Sequence, residues 1–198
     1  MKRAANPQIR HRNEKGDEGA VIYISGYSSP VGGITLASNE NALTGLWFDR
    51  EKYFGDTLPE HYEKKDTPAI VEAKRWLDIY FTGKDPDFIP TLDMDQMTEF
   101  RRMVCEIMLE IPFGRTTTYG QIAKRIAAMR GIGRMSSQAV GGAVGHNPIS
   151  IIIPCHRVVG TNGSLTGYAA GLDIKTALLK IEGTDMSGLF RPKKGTAL

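Results

Sequence analysis

The chain has 198 residues and a net charge of +3, with 41% hydrophobic and 24% charged residues, the balance of an ordinary globular protein. No apolar run approaches the roughly 20 residues that span a bilayer, and no apolar segment follows the basic N-terminus as in a secretory signal, so a membrane or exported protein is not expected. Two cysteines, Cys105 and Cys155, are too few for a disulfide framework, no Cys/His cluster has zinc-ligand spacing, and a reducing cytoplasm is the expected setting.

Residues 1–19 are polar, carry five basic residues in the first 15, and are expected to form a flexible arm. Three β-prone runs follow, at 20–25, 34–38 and 43–48. Turn residues at Gly32-Gly33 and Asn39-Glu40-Asn41 separate them, which predicts an antiparallel meander. Residues 50–66 are polar and read as loop. Thr67 and Pro68 then open a helix as N-cap and first helical residue. Ile70, Ala73, Trp76, Leu77 and Tyr80 fall on one face of that helix, and Gly83 ends it. Residues 84–88 read as a linker, so the domain boundary is expected between 83 and 93 and a first domain over 20–88.

A second domain is expected over 89–185. It starts with a helix near Thr98, striped by Phe100, Val104, Ile107 and Met108, with Cys105 inside the pattern as core filler. A second helix runs over 119–127 behind a hydroxyl cap, and a third over 136–145 behind Ser136 or Ser137. A loop with glycine joins the last two, the signature of a helix-turn-helix. The third helix is built almost wholly of small residues, and each glycine costs about 0.5–1 kcal/mol relative to alanine, so it must approach something closely. A last helix carries Ile174, Leu178, Leu179 and Ile181, and the final 15 residues, with a tail over 186–198, are expected to be frayed.

Charge is unevenly placed. Between Glu110 and Asp173 there is no acidic residue, while Arg115, Lys124, Arg125, Arg130, Arg134 and Arg157 are all basic. Such a segment suits a phosphate-facing surface.

The chemistry concentrates at Ile153-Pro154-Cys155-His156-Arg157-Val158, where Pro154 ends an apolar run and places the cysteine at the start of a turn. Most cysteines outside disulfides are merely small buried hydrophobes. This one is followed by two residues that can be cationic, and neighbouring cations favour the thiolate, the nucleophilic form. A nucleophilic cysteine also needs a base and a group to orient it. His156 is the candidate base and Glu182, at the end of the last helix, the candidate orienter.

Pro154-Cys155-His156-Arg157-Val158-Val159 resembles the active-site motif of the O6-alkylguanine-DNA alkyltransferases, and six further blocks match in the same order. They are Ile111-Pro112-Phe113-Gly114, Tyr119-Gly120-Gln121-Ile122-Ala123, Ala139-Val140-Gly141-Gly142-Ala143, Leu165-Thr166-Gly167-Tyr168 and Leu178-Leu179-Lys180-Ile181-Glu182-Gly183, with Asn147-Pro148 between the third and the cysteine motif. The resemblance is strong over about 94–183 and looser over 21–83. It implies an α/β (α+β) protein: a small N-terminal ribonuclease H-like domain with antiparallel strands, then a mostly helical C-terminal domain with a winged helix-turn-helix. It implies stoichiometric repair of double-stranded DNA in which an alkylated guanine is flipped out and its O6-alkyl group moves irreversibly to the protein. O4-alkylthymine is left open as a second substrate.

The resemblance also implies roles. Cys155 is the acceptor, His156 its base through a water, Glu182 the orienter of His156, Asn147 the brace of the preceding turn, and Tyr119 the donor to the leaving guanine. Val158, Tyr168, Ala169 and Pro154 line the pocket, and Arg157 holds the turn. Thr118, Arg134, Ser136, Ser137, Gln138, Ala139 and Gly142 meet DNA, the helix entering the minor groove. No cofactor or metal is implied, because the alkyl group ends on the protein, and the partner is DNA met by a monomer.

The chain departs from the family pattern at Gln138, where the family commonly has an arginine that fills the gap left by the flipped base, and at Ala169, which offers no hydroxyl to guanine O6. The rival readings are a damage-binding relative without transfer, which lacks the cysteine, an alkylation-sensing helix-turn-helix regulator, and a Cys-His hydrolase.

Overall fold

The structure is a computed structural model that describes residues 21–193. The expected arm over 1–19 lies outside the described residues. Two compact units divide between Met97 and Thr98.

The first unit is built on a four-stranded sheet of order β3-β2-β1-β4. Strands β1 (Tyr23–Ser29) and β2 (Gly32–Ser38) form an antiparallel hairpin, and β3 (Leu43–Phe48) pairs antiparallel with β2. The meander is therefore present, but β1 runs on to Ser29, beyond the apolar run at its start, because its pairing with β2 continues to the turn. A fourth strand, β4 (Glu63–Lys64), lies parallel to β1 inside the segment read as loop. Two charged, exposed residues give no alternating pattern, so nothing in the sequence marks it.

Helix α1 (Pro68–Tyr80) packs against β2 and β3 with the expected face: Ile70, Ala73, Trp76, Leu77 and Tyr80 are all buried. Thr67 caps it, its Oγ1 accepting from Ile70 N at 3.2 Å. Leu92 bridges Leu43 and is fully buried, while Asp93 N donates to Leu43 O at 2.9 Å. The segment beyond the polar linker is thus stitched to the sheet, which is why the units part at 97/98 and not at 88/89.

The second unit holds α2 (Glu99–Leu109), α3 (Tyr119–Met129), α4 (Ser137–Gly145) and α5 (Leu172–Ile181). Thr98, Thr118 and Ser136 cap the first three, and Thr118 forms a full capping box with Gln121. Helix α4 packs on both α2 and α3, the helix-turn-helix arrangement. A short parallel ladder joins β5 (Thr117–Thr118) to β6 (Val158–Val159), an element the sequence does not announce. It ties the segment after Cys155 to the N-terminus of α3.

Helix α5 carries Ile174, Leu178, Leu179 and Ile181 as expected; Leu172, Lys175, Leu178 and Leu179 are its buried positions, and Ile174 and Ile181 are half-buried. Residues 184–193 are not frayed: Met186 and Leu189 pack against Val159, Leu165 and Leu179, and Phe190 bridges Ser164. The glycine and polar residues there hide the two apolar anchors that hold the segment down.

Candidate active site

The apolar run before the cysteine does not form a strand. Residues 149–153 close on themselves, Ile153 N donating to Ile149 O at 3.1 Å, and Ile151 sits at φ 69°, the only non-glycine residue with positive φ among those described. A β-branched residue there is strained by about 1–3 kcal/mol, and such strain persists only where the surroundings fix it. Asn147 does the fixing. Its Nδ2 donates to Ile153 O at 2.8 Å and approaches Ile149 O at 3.3 Å, while its Oδ1 accepts from Ile149 N at 3.1 Å. The same Nδ2 stands 3.1 Å from Cys155 Sγ.

Cys155 begins a single 3-10 turn, Cys155–Arg157, that leads directly into β6. The turn buries three reactive side chains together: Cys155 is 5% exposed, His156 0% and Arg157 7%. His156 and Arg157 are organised by the end of α5. Glu182 Oε1 lies 2.6 Å from His156 Nε2, and both its oxygens accept from Arg157, with Nε to Oε2 at 2.9 Å and Nη2 to Oε1 at 3.0 Å. Gly114 N adds a bond to Oε2 at 3.0 Å. Arg157 Nη1 also donates to Ile111 O at 2.6 Å, and its guanidinium lies over the Phe113 ring. The Ile-Pro-Phe-Gly block is therefore the seat of this cluster. Gly114 has φ 70°, and a Cβ there would come 2.7 Å from the Glu182 carbonyl oxygen, so no other residue fits.

The electrostatics define the protonation states. Burial pushes the Glu182 carboxyl up, but the hydrogen bond from His156 and the charged, hydrogen-bonded Arg157 guanidinium outweigh it and hold the group at about 2. Burial lowers His156 against the opposing pull of Glu182, so the ring is neutral. A neutral ring facing an ionised carboxylate at Nε2 carries its proton on that nitrogen. Nδ1 is then the nitrogen that can accept a proton.

Opposite the cysteine turn lies the loop 165–171. Tyr119 Oη donates to Thr166 O at 3.1 Å and Gly167 O at 3.2 Å. Burial raises the Tyr119 pKa, so the hydroxyl stays a donor. Tyr168 is buried and stands edge-on to His156, their ring centroids 6.4 Å apart. Val158 is fully buried beside the turn, and Ala169 is half-buried.

Lys175 has no counterpart in the reading of the sequence. Its side chain is fully buried, and Nζ donates to Val158 O at 2.6 Å and Thr166 O at 2.9 Å, joining β6 to the loop 165–171. Burial lowers it to about 8, with Cys155 opposing that shift. The signal was available: Lys175 sits three residues after Leu172 and three before Leu178, on the apolar stripe of α5.

Two family models match the chain. "6-O-methylguanine DNA methyltransferase, ribonuclease-like domain" covers residues 22–94, and "6-O-methylguanine DNA methyltransferase, DNA binding domain" covers 99–184. The methylated-DNA--protein-cysteine methyltransferase of Methanosarcina acetivorans is 43% identical over 163 residues, spanning 82% of this chain and 99% of that protein. The chain belongs to the 6-O-methylguanine DNA methyltransferase family. Its fold also resembles the crystal structure of the Mycobacterium tuberculosis protein OGT in complex with DNA, with a TM-score of 0.70 and 40% identity over 81% of this chain and 92% of that one. The M. tuberculosis O6-methylguanine methyltransferase, likewise a crystal structure, gives a TM-score of 0.70 with 82% of this chain covered.

Against that family frame, the residues expected to meet DNA form one exposed surface: Arg134, Ser136, Ser137, Gln138 and Ala139 are exposed, and Gly142 follows one turn later on α4. Thr118 and Ser136 act as helix caps. Gly141 faces the ring of Tyr119, and Gly142 faces outward. The small residues of α4 therefore serve close packing on one side and an open face on the other. The basic segment is less uniform than its sequence suggests. Arg157 is buried at Glu182, Arg125 pairs with Glu110 at 2.6 Å and Arg130 with Glu99 at 3.6 Å, which leaves Arg115, Lys124 and Arg134 as its remaining exposed cations. Among the described residues no group of His, Cys, Asp and Glu could hold a metal ion, and no helix is long and apolar enough to cross a membrane.

Proposed function

We propose that this protein repairs DNA by direct reversal, moving an alkyl group from O6-alkylguanine in duplex DNA to Cys155, once per chain. The observation that supports this most is the convergence of Cys155, Asn147, His156 and Glu182 at a turn tied to the N-terminus of α3. The names of the relatives, methylated-DNA--protein-cysteine methyltransferases, describe the same chemistry.

The duplex binds along α4, and Gln138 enters the stack as the damaged guanine leaves it. The Cys155 proton passes through a water to His156 Nδ1, and Glu182, already ionised, stabilises the imidazolium that forms. The thiolate attacks the alkyl carbon, a carbon–sulfur bond forms, the carbon–O6 bond breaks, and its electron pair remains on guanine. Tyr119, a protonated hydroxyl at the pocket wall, donates to the departing base. Arg157 holds Glu182 in place, and Val158, Tyr168, Ala169 and Pro154 shape the pocket. The thioether is stable, so one chain acts once and needs no cofactor. Every group in this scheme comes from one chain, which acts as a monomer on DNA in the cytoplasm.

Intact mass before and after incubation with a duplex holding one O6-methylguanine tests the reading. A single methyl gain, saturating at one per chain, mapping to Cys155 and absent in Cys155→Ser, is the expected result. Tight binding with no gain would overturn transfer in favour of damage binding.

A further inference from the structure

The segment after α5 turns back on the unit and grips the loop that carries the pocket wall. Thr184 N donates to Leu179 O at 3.0 Å, and Leu189 N to Met186 O at 3.0 Å. Phe190 then pairs in parallel with the loop: its N donates to Gly163 O at 3.1 Å, and its O accepts from Leu165 N at 2.9 Å. Met186 and Leu189 pack against Val159, Leu165 and Leu179. Arg191 closes the end with an ion pair to Asp173 at 2.7 Å. Gly163 permits the approach: it has φ 88°, and a Cβ there would overlap the Gly188 carbonyl.

What this segment grips leads directly into the site. Leu165 precedes Thr166 and Gly167, whose carbonyls receive Tyr119 and Lys175, and then Tyr168, which meets His156. Val159 follows Val158, whose carbonyl receives Lys175. Residues 160–171 contain no helix or strand, and such loops sit at the low end of local stability unless held. Misplacement of reacting groups by about 1 Å can cost on the order of a hundredfold in rate.

We propose that residues 185–191 form a strap that positions the Thr166–Tyr168 wall of the guanine pocket, and so governs alkyl transfer rather than DNA affinity. This rests on the function proposed above. Phe190, Leu189 and Gly163 are positioning residues, since none is assigned a contact with the base, and none of the contacts named above reaches α4.

The test uses the full chain, a chain ending at Asp185, Gly163→Ala, and the two changes combined. Three quantities are read for each: the melting temperature, the affinity for an unmodified duplex, and the rate of methyl uptake at saturating O6-methylguanine duplex. The strap predicts that the shortened chain and Gly163→Ala each lose about tenfold in uptake rate while duplex affinity stays within about twofold. The combined variant loses less than the product of the two single losses, because the carbonyl that the new Cβ meets is gone and only the backbone strain at φ 88° remains. Unchanged uptake in the folded variants, losses that multiply, or a loss confined to affinity would each overturn the strap. If the shortened chain fails to fold, Leu189→Ala decides, with a several-fold loss of uptake supporting the strap and an unchanged rate overturning it. No uptake by the full chain would overturn the functional reading itself, and the strap with it.

Discussion

Asn147 Nδ2 stands 3.1 Å from Cys155 Sγ while holding the Ile153 carbonyl at 2.8 Å, so one side chain fixes both the strained turn and the thiol it presents. Asn147→Ala leaves buried backbone groups of Ile149 and Ile153 without that partner, at about 1–3 kcal/mol each. Urea unfolding is expected to show about 2–4 kcal/mol of lost stability. Asn147→Asp replaces a donor with a negative charge beside the sulfur, which disfavours the thiolate. Its methyl-uptake rate is expected to fall more than tenfold at pH 7.5 and to recover partly as pH rises. A rate for Asn147→Asp equal to wild type would show that the amide donor does not act on the sulfur.

Glu182 makes stability pH-dependent in acid. Its folded pKa of about 2 lies below the unfolded value of 4.5, so the unfolded chain binds a proton first as pH falls. The stabilisation is complete above pH 4.5 and is lost on descent from there towards pH 2, roughly 3 kcal/mol in all. His156, lowered from 6.5 by burial, acts in the same direction and starts the decline earlier, once the unfolded histidine protonates. Chemical denaturation from pH 7 to pH 3 should show this slope, and Glu182→Gln should flatten it. The same variant leaves Arg157 buried without its carboxylate and is expected to lose about 3–5 kcal/mol at pH 7.

Lys175 is expected to act on rate in the opposite pH range. Its amine is charged below about 8 and neutral above, while in the unfolded chain it stays charged to 10.5. The charge attracts the Cys155 thiolate, so the ratio of wild-type to Lys175→Met uptake rates should be on the order of tenfold at pH 7 and shrink by pH 9.5. A neutral amine keeps two N–H groups for Val158 and Thr166, so the pocket persists through the titration. A ratio that does not change with pH would mean that Lys175 acts through packing alone.

The caps, stripes and turns that dominate this chain were legible because each depends on neighbours in sequence. Thr67-Pro68, the face of α1, the hydroxyl cap of α3 and the order of the helices all appear as expected. The elements that escaped are set by distant pairing. Strand β4 forms where Glu63 N donates to Ile22 O at 2.9 Å and Lys65 N to Ile24 O at 3.2 Å, and the β5–β6 ladder joins residues about forty apart. At the site, His156 and Glu182 could be paired from the sequence, and the structure brings them to 2.6 Å. The contact of Asn147 with the sulfur, the seat formed by Ile111 and Gly114, and the carbonyls joined by Lys175 depend on three-dimensional closure that no local pattern encodes.

Gln138 sits exposed on α4, the residue proposed above to enter the stack as the damaged base leaves it. Opening the stack costs a few kcal/mol, and a side chain that takes the vacated place recovers part of it. An amide can do so by hydrogen bonding but contributes nothing to counterion release. Gln138→Ala is therefore expected to slow uptake from duplex DNA about tenfold and to leave uptake from a single-stranded oligonucleotide within about twofold, since no pair must be broken there. Gln138→Arg is expected to tighten duplex binding and steepen its dependence on salt concentration by about one phosphate contact. Equal slowing of Gln138→Ala on both substrates would place Gln138 in the pocket chemistry instead of base extrusion.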